Sequence, residues 1–201
     1  MFIKRKTVMA LTGLTREQFD KSVRYDQFPF LVPPEEEAKI GLPENLRGEG
    51  NGYTLRDAFQ IVVAQDLARS YWHTAADLKG ASRIVSTGWR EIAAAANRLE
   101  ADRRSEELWI GTIIRRRHPS VIAEEEIFGR YEKARQELVG IEPVLVDTLP
   151  QLMASALEWD DDYEADIARI VAANVSGALR LFKARAHRIG FELPADLNWI
   201  A

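Results

Sequence analysis

The sequence predicts an α+β chain, and three observations carry that prediction. Helix-start signals recur in the first half, where Thr15-Arg16-Glu17-Gln18, Thr54-Leu55-Arg56-Asp57 and Thr74-Ala75-Ala76-Asp77 each set a hydroxyl three residues before an amide or carboxylate. Apolar residues follow each start at helical spacing. After Glu107 the pattern changes, and Leu108-Trp109-Ile110-Gly111-Thr112-Ile113-Ile114 is rich in β-formers.

The helical half is justified element by element. Thr7 can cap a helix from Val8 to Leu11, ended by Thr12-Gly13. A second helix runs from Arg16 to about Asp26, with Leu14, Phe19 and Val23 as its apolar stripe. Pro29 disfavours helical conformation at Phe28 and closes it. Residues 31–52 are rich in Pro, Gly and Glu and read as an irregular loop or long hairpin. The helix opened at Thr54 places Leu55, Phe59, Val62, Val63, Asp66 and Leu67 down one side, and the one opened at Thr74 runs through Leu78, Ala81, Ile84 and Val85. A fourth helix spans Trp89 to Arg104, its apolar side made mostly of Ala.

The second half alternates. A strand at Leu108–Ile114 is followed by a turn at Arg115–Pro119, a pairing segment at Ser120–Ala123 and a helix over Glu124–Leu138. Pro143–Val146 reads as a short strand and Leu149–Leu157 as a helix. Ile167–Ala173 fits either a strand or the start of a long helix, and Val175–Ile189 is an amphipathic helix ending at Gly190.

Composition narrows the function. In 201 residues, 46% hydrophobic and 29% charged describes a soluble globular protein of one large or two small domains. The absence of Cys excludes disulfides, thiolate zinc sites and Cys nucleophiles. Met1-Phe2-Ile3-Lys4-Arg5-Lys6 is not followed by an apolar run of about 7–15 residues, so no signal peptide is expected. No apolar stretch nears the ~20 residues of a membrane span. The expected location is the cytoplasm.

Charge is uneven. Residues 1–30 hold six basic and three acidic groups, whereas residues 118–166 hold three basic and thirteen acidic ones. A basic head can bind DNA although the net charge is −4. The acidic middle can dock another protein.

Catalytic signatures are missing. His73, His118 and His187 lie in different elements, and no Gly-x-Ser-x-Gly, Walker loop or His-Glu-x-x-His occurs. An enzyme is not expected, nor a built-in metal or organic cofactor. The run Glu158, Asp160, Asp161, Asp162, Glu164 and Asp166 lacks the spacing of a calcium loop and reads first as an acidic loop. Arg115-Arg116-Arg117 suits a phosphate, an acidic partner or plain solvent. Trp89, Trp109, Trp159 and Trp199 read as core or interface anchors.

Four blocks resemble the winged helix-turn-helix of the MerR family of regulators. These are Thr7–Thr15, Arg16–Pro29, Gly52–Ala58 and Thr74–Leu78. The resemblance covers about 40% of the chain, and it departs from the family where Glu17, Asp20 and Lys21 stand in place of the usual Arg and Tyr residues. The loop at 30–52 is longer than a usual wing, as in divergent phage-derived accessory proteins. The resemblance implies a winged-helix DNA-binding domain over 1–86, a connecting and dimerising helix over 87–105, and a small α/β domain over 106–201. It also implies a bacterial or phage origin and a homodimer on double-stranded DNA. An effector site within residues 107–200 stays open.

Helix-turn-helix geometry sorts the side chains. Thr15, Arg16, Gln18, Lys21, Ser22 and Tyr25 avoid the stripe and face the major groove. Arg16 can read guanine and Gln18 adenine. Lys4, Arg5, Lys6 and Arg24 lie near phosphates, and Arg47 reaches from a wing over 30–53. The expected function is sequence-specific DNA binding, in transcription regulation. Rival readings are a terminase small subunit-like packaging protein, an excisionase-like accessory protein, or a protein-interaction adaptor motivated by Glu17 and Asp20.

Overall fold

A computed structural model describes residues 2–31, 52–70, 75–94, 107–116, 138–141, 145–157 and 167–200. The chain is a mixed α+β protein with two small antiparallel sheets among these residues. Strand β1 (Phe2–Ile3) pairs antiparallel with β2 (Tyr53–Thr54), so the two ends of the first helical unit are stapled together.

Helix α1 (Arg5–Thr12) starts earlier than a Thr7 cap would place it. Lys4, extended after β1, is the N-cap residue and makes no side-chain cap. Gly13 ends the helix at φ +72°, the left-handed conformation that glycine adopts without strain. Helix α2 (Arg16–Arg24) stops two residues short of the expected end, because Tyr25 caps it and Asp26 turns left-handed at φ +50°. Its inward side is also rotated from the expected one. Phe19 and Ser22 are buried, whereas Val23 is 40% exposed. Positions 22 and 23 both flank Phe19 at helical spacing, and sequence period alone does not choose between them.

Helix α3 (Leu55–Ser70) is the centre of the molecule. The sequence suggests one apolar side, yet Leu55, Ala58, Phe59, Ile61, Val62, Val63, Ala64 and Leu67 are all buried, and so is Gln60. Its middle, Ala58–Ala64, is buried on every side, enclosed by α1, α4 (Ala75–Thr87), a helical stretch over 89–94 and the C-terminal elements. Trp89 and Ile92 of that stretch are buried.

The larger sheet has β3 (Leu108–Arg116) at its middle. Strand β6 (Ile167–Asn174) pairs with β3 from Trp109 to Arg116. Strands β4 (Leu138–Ile141) and β5 (Leu145–Thr148) share the opposite edge in succession. Gly111 lets this sheet close on α5 (Leu149–Leu157), since a Cβ there would sit 3.0 Å from the Val171 carbonyl and 3.3 Å from Leu152. Helix α6 (Val175–Arg188) follows β6 directly, capped by Asn174 Oδ1 accepting from the Gly177 N–H at 2.7 Å. Ile167–Ala173 is therefore strand. Arg115 and Arg116 extend β3 and form no turn, and Leu138 opens a strand where a helix was expected to end.

One hydrophobic cluster joins Ile3, Leu11 and Phe19 to Ile110, Val171, Phe182 and Ile200. At its heart the Phe59 ring meets Trp89, Phe182 and Trp199 at 5.8, 5.6 and 5.8 Å. The Trp89 indole N–H donates to the Ile200 carbonyl at 2.9 Å, fixing the short 3-10 turn Asn198–Ile200. Among the described residues, no helix is long and apolar enough to cross a membrane. Thr74 and the Asp77 side chain, helix residues 95–104, the Ser120–Ala123 segment, most of the Glu124–Leu138 helix, Trp159 and the Glu158–Asp166 run lie outside the described residues.

Candidate nucleic-acid interface

The α1–α2 pair is built by local signals and then locked by contacts. The Thr15 hydroxyl accepts from the Gln18 N–H at 3.2 Å, and the Gln18 side-chain carbonyl accepts from the Thr15 N–H at 2.9 Å. This reciprocal cap fixes where α2 begins. Phe19 anchors it from beneath, edge-on to Tyr53 of β2 at 5.5 Å. Lys79 of α4 pairs with Asp26 at 2.6 Å and holds the far end.

The outward side carries charge. A groove along it is lined by Arg16, Glu17, Asp20, Lys21, Arg24 and Tyr25. The Arg16 side chain is 83% exposed, and Tyr25 is 59% exposed. Asp20 does not stand there as a bare carboxylate. It is ion-paired with Arg5 of α1 and lies 3.8 Å from Arg16 one turn back. The Arg5 guanidinium also rests over the Phe19 ring at 5.4 Å. The first turn of α1 therefore lies beside α2, bringing the flank of exposed Lys4 and Lys6 to the same unit.

The sequence-selected residues divide as follows. Thr15, Arg16, Lys21, Arg24 and Tyr25 are exposed together, and Lys4 and Lys6 are exposed at the start of α1. Gln18 is exposed, and its carbonyl accepts from the Thr15 N–H in the cap. Ser22 is a correction: it is 5% exposed and faces the core, because the buried side of α2 runs through Phe19 and Ser22. Arg47 and the wing segment 32–51 lie outside the described residues, as do His73 and His118, while His187 is exposed near the end of α6. Among the described residues, no three His, Asp or Glu side chains gather where a metal ion could be held.

One contact escaped sequence reasoning. Arg185 of α6 donates through its Nη1 to the Leu11 and Thr12 carbonyls at 3.1 and 2.7 Å, capping the end of α1. The guanidinium packs so closely on Gly13 that a Cβ there would lie 2.8 Å from Nη2. The cation in the last turn of α6 was visible, but its partner some 170 residues away was not. Comparison with protein-family models, curated proteins and solved structures gives no match.

Proposed function

We propose that this protein binds double-stranded DNA sequence-specifically through α2, as a regulator of transcription. The observation that supports this most is the outward side of α2: Arg16, Lys21, Arg24 and Tyr25 project together while Asp20 is neutralised by Arg5. A helix inserted in the major groove needs cations and planar donors on its exposed side, with no uncompensated carboxylate against phosphate. Glu17 stands in the first turn of α2, where the helix dipole favours a carboxylate, and on this reading it points along the helix start rather than at a phosphate.

In this reading α1 and α2 form the helix-turn-helix, and Lys4, Lys6 and Arg24 contact phosphates. The protein acts as a cytoplasmic homodimer on paired half-sites. The test is selection of bound fragments from random and genomic duplex DNA by the full-length protein, followed by footprinting. A discrete protected site supports the reading, and absence of DNA affinity at low salt refutes it. A ring-shaped oligomer by mass photometry, without a discrete footprint, favours packaging instead.

A further inference from the structure

Away from α2, a cleft of about 230 Å³ opens between α3, α6 and the end of β6. Val62, Ala178 and Leu181 are the apolar part of its lining, Val62 and Ala178 buried and Leu181 41% exposed. Arg69 of α3 and Arg185 of α6 line it as well. The charges there are unbalanced. Asp66 is the carboxylate among the lining residues, and it is already engaged, 3.9 Å from Arg69 and accepting from the Asn174 N–H at 3.3 Å.

Arg185 is half-buried and crowded by its own kind. Burial, then Arg69, then Arg188 hold its pKa below the ordinary arginine value. Its Nη1 is used on the α1 carbonyls and its Nη2 lies against Gly13, and a guanidinium with five N–H donors still has donors to offer a carboxylate or phosphate beside those contacts. A partly buried cation with other cations near it is stabilised by an anion that enters beside it.

We infer that this cleft binds a small organic anion, with Arg185 and Arg69 taking the charged end and Val62, Ala178 and Leu181 the apolar end. The volume suits a ligand of about ten heavy atoms, smaller than the cavities that hold drug-sized molecules. The inference stands independently of DNA binding, because no residue of the α2 face takes part.

Benzoate, its neutral isostere benzamide and inorganic phosphate are the probes, titrated into the full-length protein by calorimetry and by protein-observed NMR. Benzoate is expected to bind one-to-one, about tenfold or more tighter than benzamide, as a charge-assisted hydrogen bond implies. Phosphate should compete with it. Arg69→Ala and Leu181→Glu, both at exposed positions, should each weaken benzoate about tenfold with the circular dichroism unchanged. Equal binding of benzoate and benzamide, no saturable benzoate binding, or binding that survives both substitutions overturns the inference. Loss of DNA binding in the wild-type protein leaves it standing.

Discussion

Helices α2 and α3 begin alike and end with opposite roles. Each opens on a Thr that exchanges hydrogen bonds with the side chain and backbone of the third residue on, Gln18 in one case and Asp57 in the other. After that start, α2 buries Phe19 and Ser22 and leaves its charged side to solvent, whereas α3 is buried almost all round. The cap sets where a helix begins; the side chains beyond it decide whether the helix is a surface or an axis. In this molecule the axis holds the surface in place, because α1 packs on α3 and α2 hangs from α1 and β2.

The largest break in that comparison is predicted at Phe59. Phe59→Ala removes the ring around which Trp89, Phe182 and Trp199 gather, and should cost about 3–5 kcal/mol in denaturant unfolding. Arg24→Ala on the outer side of α2 should move stability by no more than about 0.5 kcal/mol. Similar losses from both would mean that α3 is not the axis.

A smaller effect tests the shared start. Thr54→Ala and Thr15→Ala should each cost about 1 kcal/mol. The Thr54 change should be the larger, since its bonds are partly buried and those of Thr15 are exposed. Reversal of that order would show that α2 depends on its cap more than on Phe19.

The smallest effects are pH-dependent and opposite in sign. Burial pushes the Asp57 carboxyl above its ordinary value of 3.8, against the Thr54 hydrogen bonds and Arg56 that favour its charged form. The folded protein then binds the proton more tightly than the unfolded chain. Stability from this group is present below about 3.8 and falls as pH rises through the raised value. Glu107 behaves the other way: hydrogen bonds from Arg180 and Asn174 hold it below 4.5, so its contribution is present above 4.5 and is lost as pH falls. Asp57→Asn should flatten the first dependence and Glu107→Gln the second, read from unfolding curves at pH 3 to 7.

Local chemistry was legible in the sequence and long-range chemistry was not. The caps at Thr15 and Thr54, the turn at Gly13 and the β-rich run at Leu108 are written within a few residues and appear in the fold. The choice of Ser22 over Val23 for the core was not legible, because it depends on what packs beneath α2. Strand β4 was missed because Leu138 follows a charged, helix-prone stretch, and its pairing depends on β3 more than twenty residues earlier. The Arg5–Asp20 and Arg185–α1 contacts join residues with no periodic relation.

The central claim is that the exposed side of α2 reads DNA, and one measurement tests it most directly. Affinity for the selected site is followed against salt concentration for the wild-type protein, Arg16→Ala and Lys21→Ala, with folding checked by circular dichroism. Arg16→Ala should cost about 1–3 kcal/mol and relax preference at one base position, as loss of a bidentate base contact requires. Lys21→Ala should weaken all sequences alike and lower the salt slope by about one unit, as loss of a phosphate contact requires. If both folded variants bind the selected site with wild-type affinity and wild-type slope, α2 is not the reading helix.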